Sequence, residues 1–299
     1  MKIGYPCINR SINCRGNRTF RLKSFSEERL IKTVANNLHC LATILNYNIK
    51  NNLLFFRITS DLIPFASHPI CQFNWQEYFK YEFEEIGKTI QENKIRISMH
   101  PDQFIVLNSK NQDVVKRSIA ELHYHTQVLD LMKLDKTAKI QLHVGGAYGN
   151  KKESLNRFAY NYMKLDEKIK NRLVIENDDK TYSFKDCLLL HEKIKMPLLF
   201  DVLHHMVLNH DESLKFCLEK QQRTWDKTDG IPLIDYSSQK PGFRPGSHTE
   251  SIDLKDFENF LHQSLPYDFD IMLEIKDKEY SALKALKIAK NDNRIVKKS

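Results

Sequence analysis

Hydrophobic residues concentrate in short runs that recur along the whole chain. The runs are rich in β-branched and aromatic residues and contain few polar ones. Near-continuous apolar runs of this length are typical of strands that are buried on both faces, as in a parallel sheet. The sequence therefore predicts eight buried strands, at 2–6, 52–58, 94–100, 138–144, 171–177, 196–202, 230–236 and 268–275.

Longer segments with the periodicity of an α-helix separate these runs. In the first of them, leucine or valine recurs every three or four residues between Leu30 and Leu45, which places these side chains on one face. Ser26 and the glutamates that follow it suit an N-cap and an acidic first turn. Comparable segments predict seven further helices, at roughly 75–93, 112–134, 152–170, 183–194, 210–221, 253–264 and 279–291.

The strict alternation of strands and helices predicts the fold. It implies a parallel sheet with right-handed crossovers, and eight such units in 299 residues favour a closed TIM (β/α)8 barrel over an open sheet. No GxGxxG motif follows the first strand, which weighs against a dinucleotide-binding fold. No linker or shift in composition divides the chain. We therefore expect an α/β protein with a single TIM-barrel domain over residues 1–299.

The composition, with 41% hydrophobic and 28% charged residues, is that of a globular protein. No apolar run approaches the roughly 20 residues that cross a bilayer. The first residues, MKIGYPCINR, lack the apolar stretch of a secretory signal. We therefore expect a cytoplasmic protein. The net charge of +8 fits a polyanionic partner, although many basic proteins bind no nucleic acid.

The cysteines are scattered and form no CxxC pair. There are six of them, Cys7, Cys14, Cys40, Cys71, Cys187 and Cys217. In a chain of this length without a secretory signal, reduced thiols are the expected state. A bridge between Cys7 and Cys14 is the less favoured alternative.

Metal-capable side chains follow or end almost every predicted strand. They are His100, His143, Glu176, Asp201, His204, Asp235, His248 and Glu274. A single histidine or aspartate at a strand end is more often a cap, but the carboxyl ends of barrel strands converge on one face, where this fold builds its active sites. Carboxylates gathered there would repel one another unless cations neutralise them. The repetition therefore predicts a metal site.

The donor types restrict the metal. Mixed imidazole and carboxylate ligands suit Zn²⁺, Mn²⁺ or Fe²⁺, and no thiolate favours zinc in particular. Eight ligands are too many for one ion, so we expect two or three. Sites with several metals are suited to the in-line hydrolysis of phosphate esters.

Several segments, taken together and in order, resemble the UV damage endonuclease family. They are GYPCIN at 4–9, RITSDLIPFASH at 57–68, SMHPDQF at 98–104, LHVGGAYGNK at 142–151, VIEND at 174–178, FDVLHH at 200–205, DYSSQKPGFRPGSH at 235–248 and LEI at 273–275. They span nearly the whole chain, which makes the resemblance far more specific than any one of them.

The resemblance implies a TIM barrel that binds damaged double-stranded DNA across the carboxyl ends of its strands. Members incise immediately 5′ of a cyclobutane dimer or a 6-4 photoproduct, and the range of other lesions is left open. The metal would be a cluster of divalent ions, usually manganese, with zinc or another divalent ion as the alternative. All eight side chains named above would be ligands, with Glu176, His143 and Glu274 central to catalysis. Asp235 stands where other members can present a histidine, an exchange that keeps a ligand but adds negative charge.

The resemblance also implies residues that touch DNA. Gln103 and Phe104 would probe the duplex and fill the gap left by an extruded lesion, with phenylalanine here where we would expect tyrosine. Further contacts are expected from Tyr5, Asn9, Arg57, Ser60, Lys151, Lys240 and Arg244. For Phe104 the alternative is packing beneath its loop, and for Tyr5 it is capping the top of the barrel.

Three other functions fit part of this pattern. An abasic-site endonuclease would share the barrel and the metals. A sugar isomerase would share the histidines and carboxylates at the strand ends but would need neither the wedge pair nor a basic surface. A DNA damage-binding protein without activity would have no use for the ligand set. The resemblance further leads us to expect a monomer, associated with the nucleoid when it acts.

Overall fold

Eight parallel strands close into a barrel in which each strand pairs with the next along the chain and β8 pairs with β1. The structure is a computed structural model that describes residues 1–102 and 104–296. The strands are β1 Ile3–Pro6, β2 Phe55–Ile58, β3 Arg96–Met99, β4 Lys139–His143, β5 Leu173–Glu176, β6 Leu198–Asp201, β7 Leu233–Tyr236 and β8 Asp270–Leu273. The predicted α/β TIM barrel is confirmed, and each strand lies within its predicted segment.

The helices also follow the predicted segments, with three additions. They are α1 Glu27–Lys50, α2 Trp75–Tyr78, α3 Lys80–Glu92, α4 Gln112–Leu131, α5 Lys151–Met163, α6 Glu167–Lys170, α7 Phe184–Ile194, α8 Val202–Val207, α9 Leu214–Gln222, α10 Leu254–Gln263 and α11 Glu279–Ala289. Two predicted helices are each divided, at Phe79 and at 164–166. The short α8 was missed because its N-cap is Asp201, which also ends β6.

The barrel interior is filled by side chains and is not a pore. Large apolar residues from alternate positions pack at its centre; they are Phe55, Val174, Leu199, Leu233 and Met272. Below them, at the amino ends of the strands, Lys139 pairs with Asp229 at 2.6 Å and Arg96 lies 3.7 Å from Asp270. Since this end is closed by packed and paired groups, the opposite end is left for chemistry.

The segment after β1 is tied to α1. Asn37 on α1 accepts a hydrogen bond from the backbone of Arg18 at 3.0 Å and donates one back at 2.9 Å. Cys14 and Cys40 form a disulfide with their Cα atoms 5.1 Å apart. Both expectations for the cysteines were therefore wrong, that all are reduced and that Cys7 is the alternative partner of Cys14. The pairing depends on how this segment folds back onto α1, which spacing does not reveal.

No helix within residues 1–102 and 104–296 is long and apolar enough to cross a membrane.

Candidate metal centre

The barrel gathers the metal-capable side chains at one end. His143, Glu176 and Asp201 are the last residues of β4, β5 and β6, while His100 and Glu274 directly follow β3 and β8. The remaining three are Asp235 in β7, His204 in α8 and His248 in the segment between β7 and α10. The register places His143 beside Glu176 and Asp201 beside Asp235. The parallel strands therefore bring together groups that are far apart in sequence.

Glu176 lies between two sets of histidines and is 1% exposed. Its Oε2 is 3.5 Å from Nε2 of His100 and 3.6 Å from Nε2 of His143. Its Oε1 is 3.4 Å from Nδ1 of His204. One buried carboxylate thus lies between two sets of histidines and would serve both sets if ions were bound there.

Backbone carbonyls orient two of the histidines. Nδ1 of His204 lies 2.9 Å from the carbonyl oxygen of Asn177, and Nδ1 of His248 lies 2.6 Å from that of Glu274. A carbonyl oxygen only accepts, so each Nδ1 donates its proton and each Nε2 is left as the ligand atom. Orientation of a ligand histidine by a partner on its other nitrogen is general in metal sites.

Asp201 serves both the helix and the cluster. Its Oδ1 accepts a hydrogen bond from the backbone nitrogen of His204 at 2.7 Å, which caps α8, while Oδ2 lies 3.5 Å from Nδ1 of the same histidine. The cap fixes α8 directly against the end of β6. Asp201 therefore positions His204 by capping α8 and also lies beside its ring.

Asp235 has a different environment from the other carboxylates. A terminal nitrogen of Arg57 donates to both of its oxygens, at 2.7 and 2.8 Å, and Gln141 donates to Oδ2 at 2.7 Å. Gln141 also donates to Oε2 of Glu176 at 2.8 Å. The second terminal nitrogen of Arg57 donates to Oε1 of Glu274. The aspartate is thus hydrogen-bonded to protein donors on both oxygens.

The electrostatics of the cluster call for cations. Burial opposes a charge on His204, yet Asp201 and Glu176 outweigh it and raise the pKa of this histidine to about 11. Burial likewise opposes a charge on Glu274, but Arg57 outweighs it and lowers the pKa of this carboxyl to about 2. By contrast, burial raises the pKa of Asp201 to about 6 and raises that of Asp235 well above its ordinary value, so added positive charge would favour the ionised form of both.

The donor set fits a metal cluster. Three groups of side chains each offer ligand atoms within 4.8 Å of one another: His100, His143 and Glu176; Glu176, Asp201 and His204; and Asp201, Asp235 and Glu274. Within the described residues, Nδ1 of His100 and Nδ1 of His143 are buried without a hydrogen-bond partner. Buried polar atoms normally have partners, so these two imidazoles fit the role of metal ligands.

The first class of side chains predicted to contact DNA is exposed to solvent, at least in part. Phe104, in the segment between β3 and α4, is 68% exposed, which excludes packing beneath its loop. Arg244 is exposed, and Lys151 and Lys240 are partly exposed and ion-paired with Asp186 and Glu250. Gln103, the other half of the predicted wedge, lies outside the described residues.

The second class is engaged inside the protein. Tyr5 is fully buried, donates to Asn48 at 2.6 Å and accepts from Asn9 at 2.7 Å. Since Asn48 lies on α1, the hydroxyl of Tyr5 is bound between β1 and α1 inside the protein. The hydroxyl of Ser60 donates to the carbonyl of His100 at 2.8 Å. Arg57 is also buried and ion-paired. The proposed DNA surface therefore does not include Tyr5, Asn9, Ser60 or Arg57.

Sequence reasoning missed two residues at this end of the barrel. Gln141 precedes His143 by two positions in β4, so both point to the same face, and this alternation was the available signal. Phe243 is 60% exposed, and Nζ of Lys240 lies 3.9 Å from the centre of its ring. An aromatic residue within a basic loop shaped by proline and glycine was the signal there.

Comparison of the whole chain decides its family. Residues 1–298 match the family described as UV-endonuclease UvdE. The chain belongs to this family. Endonuclease is therefore its enzyme class, and the resemblance inferred from the sequence motifs is confirmed.

Individual relatives agree with this membership. The chain is 42% identical over 296 residues to a UV DNA damage endonuclease of Clostridium perfringens, covering 98% of this chain and 72% of the relative. It is 34% identical to one of Bacillus cereus strain Q1, covering 95% of this chain and 92% of the relative. The crystal structure of SacUVDE matches with a TM-score of 0.94 and 48% identity, covering 99% of this chain and 100% of that chain.

More distant structures share the barrel alone. Endonuclease IV from Thermus thermophilus matches with a TM-score of 0.59 at 14% identity, covering 84% of this chain and 93% of that chain. D-Psicose 3-epimerase from Clostridium cellulolyticum matches with a TM-score of 0.56 at 10% identity, covering 83% of this chain and 92% of that chain. One fold thus serves both nucleases and sugar epimerases, so function must be argued from the site.

Proposed function

We propose that this protein hydrolyses the phosphodiester immediately 5′ of a UV photoproduct, either a cyclobutane dimer or a 6-4 product, in double-stranded DNA. The observation that carries the proposal is Glu176, a buried carboxylate that faces His100 and His143 with one oxygen and His204 with the other. A ligand shared between two ions suits phosphoryl displacement, in which both the attacking and the leaving oxygen need stabilisation.

Divalent ions are the proposed cofactor, with Mn²⁺ as the expected metal. The histidines and carboxylates at the barrel mouth would hold them, with Glu176 and His143 as direct ligands. When bound, such ions lower the pKa of a coordinated water and stabilise negative charge on phosphate oxygens. A metal cluster also accounts for the gathering of four carboxylates in one buried place, which would otherwise be costly.

The protein's own residues supply position. The carbonyls of Asn177 and Glu274 fix the rings of His204 and His248. Ser60 fixes the backbone of His100. A site built on strand ends and held by a second layer of hydrogen bonds keeps its donors in place while the substrate changes.

Phe104 is proposed to replace the stacking lost when the lesion leaves the helix. An exposed ring on a loop beside His100 can enter the duplex where a damaged pair is already weakened, so that extrusion costs less than at an intact step. Gln103 is proposed as its partner. The phosphate backbone would be held by Lys151, Lys240 and Arg244.

The ion pairs of Lys151 and Lys240 do not argue against that role. Lys151 is 2.6 Å from Asp186 and Lys240 is 2.8 Å from Glu250. Partly exposed pairs of this kind contribute roughly 0–1 kcal/mol, so a phosphate can take the place of the carboxylate at little cost. The net charge of +8 acts in the same direction.

A nicking assay tests the proposal. A labelled duplex with one cyclobutane dimer is incubated with the protein and Mn²⁺, with EDTA and an undamaged duplex as controls. We expect one metal-dependent cut immediately 5′ of the dimer. Cleavage of an abasic duplex without any cut at the dimer would contradict the proposal and would favour an abasic-site endonuclease.

A further inference from the structure

Both oxygens of Asp235 are occupied by donors from the protein. One terminal nitrogen of Arg57 is 2.7 Å from Oδ1 and 2.8 Å from Oδ2, and Gln141 donates to Oδ2 at 2.7 Å. The side chain of Asp235 is fully buried. Asp235 thus accepts three hydrogen bonds from the protein, which leaves about one of its roughly four lone-pair sites for an ion.

Arg57 is held in this place by a second carboxylate. Its other terminal nitrogen donates to Oε1 of Glu274, and its side chain is 4% exposed. Glu274 keeps Oε2, which lies 3.8 Å from Nε2 of His248. Asp235 and Glu274 are two of the three members of the third candidate group, the other being Asp201. The guanidinium therefore already binds two of the three side chains that would have to hold an ion of that group.

We propose that Arg57 takes the place of a third ion, so that the centre binds two divalent ions and Asp235 is not a ligand. The statement rests on the proposed function for the use of these ions, but the number bound can be measured without any DNA. The proposal reduces the expected number of bound ions from two or three to two. It also replaces the predicted ligand role of Asp235 with a positioning role.

The two remaining groups are complete without Asp235. The first is His100, His143 and Glu176, and the second is Glu176, Asp201 and His204. Glu176 is common to both, and Gln141 holds its Oε2 at 2.8 Å while also holding Asp235. Gln141 thus links Asp235 and Arg57 to Glu176 and holds in place the carboxylate that both groups contain.

Charge also favours an arginine over a further ion. When all four are ionised, the carboxyl groups of Glu176, Asp201, Asp235 and Glu274 carry four negative charges at the mouth. Arg57 and two divalent ions together bring five positive charges, which leaves a small excess for an anionic phosphate. Because arginine does not lose its proton in proteins, an ion added between Asp235 and Glu274 would meet a fixed cation at contact distance.

Metal content tests the proposal directly. Protein stripped with a chelator, freed of it and reloaded with Mn²⁺ is separated from free metal by gel filtration. Mass spectrometry of the metal against protein concentration then gives the number bound. We expect two equivalents in the wild-type protein. Three equivalents would overturn the proposal.

Variants assign the ions to residues. Asp235→Asn should still bind two equivalents, whereas Asp201→Asn should bind about one, because Asp201 belongs to the second group. Arg57→Gln, which removes the fixed charge, should admit a third equivalent. Loss of an ion in D235N, or only two ions in a folded R57Q, would overturn the assignment. Circular dichroism shows whether each variant is folded. If a variant does not fold, the number of ions bound by the wild-type protein still tests the proposal.

The outcomes separate this inference from the proposed function. Two ions bound without any cut at a dimer would leave the inference standing and contradict the function. Three ions bound with a cut 5′ of the dimer would confirm the function and contradict the inference.

Discussion

Nε2 of His143 and Oε2 of Glu176 lie 3.6 Å apart, and the two residues are register partners on β4 and β5. The pairing of two parallel strands thus sets this contact, and the same carboxylate faces His204 through its other oxygen. Since two of the three candidate ligand groups contain Glu176, its charge is the feature of the site whose loss should have the largest effect.

Replacement of Glu176 by glutamine tests that feature. The amide keeps the shape but removes the negative charge that two ions would share, so incision at a dimer should fall by more than about a hundredfold. That is beyond the roughly 10–100-fold typical of residues behind the ligands. Binding to the damaged duplex, measured by fluorescence anisotropy, should largely remain. Glu258→Gln on the exposed face of α10 is the matched control. Full activity in E176Q would contradict the site.

Phe104→Ala should reduce kcat/KM for a dimer-containing duplex. Stacking of a base on an aromatic ring contributes about 1–3 kcal/mol, which corresponds to a loss of roughly 5-fold to 160-fold. Phe104 is 68% exposed, so its removal should leave the thermal unfolding temperature unchanged. The control is Phe216→Ala, another exposed phenylalanine, on α9. An equal loss in F216A would show that no wedge function resides in Phe104.

The basic residues of the segment between β7 and α10 should determine part of the salt dependence of binding. If Lys240 or Arg244 neutralises one phosphate, its replacement by alanine reduces the slope of log K against log salt by about 0.9. Anisotropy titrations of a dimer duplex at several NaCl concentrations measure this slope. Lys255→Ala on α10 is the control. Unchanged slopes in K240A and R244A would place the phosphates elsewhere.

Phe243→Ala should weaken binding to the duplex with little effect on the metal content. The ring is 60% exposed and carries Lys240 at 3.9 Å, so its loss removes an apolar contact and frees a neighbouring cation. β3 and β7 lie opposite each other in the closed order of strands, so the segments that carry Phe104 and Phe243 begin on opposite sides of the mouth. An affinity equal to that of the wild type would exclude Phe243 from the interface.

Lys139 should make the stability depend on pH at the closed end of the barrel. Burial lowers its pKa to about 8 from an ordinary 10.5, although Asp229 opposes the shift. Between these values the unfolded chain binds a proton that the folded protein does not, so stability rises with pH. From about pH 7.5 to about pH 9.5, the wild type should gain roughly 1–2 kcal/mol relative to Lys139→Met.

Urea unfolding of both proteins at the two pH values measures this difference. The side chain of Lys139 is 1% exposed and lies at the opposite end of the barrel from the histidines, so bound metal should not obscure the result. Lys152→Met, an exposed lysine on α5, is the matched control. A difference that falls as the pH rises would contradict the assignment.

Local sequence pattern was enough to predict the barrel and the chemical nature of its mouth. Buried parallel strands need near-continuous apolar runs, and helices that cover them need one apolar face, so the pattern carries this information. His143 and Glu176 could be placed because they end such runs, and the ends of parallel strands meet. The motifs around them were enough to identify the family from the sequence alone.

Which polar groups bind one another could be known only from the closed barrel. Arg57 and Asp235 are 178 residues apart and lie on β2 and β7, which are not neighbours in the sheet, so their pairing exists only once the barrel closes. From the sequence, Arg57 was predicted to contact DNA and Asp235 to bind a metal, because arginine suits phosphate and aspartate suits a cation. The closed barrel pairs them with each other, because a charge enclosed in the barrel must be neutralised by whatever the fold places beside it.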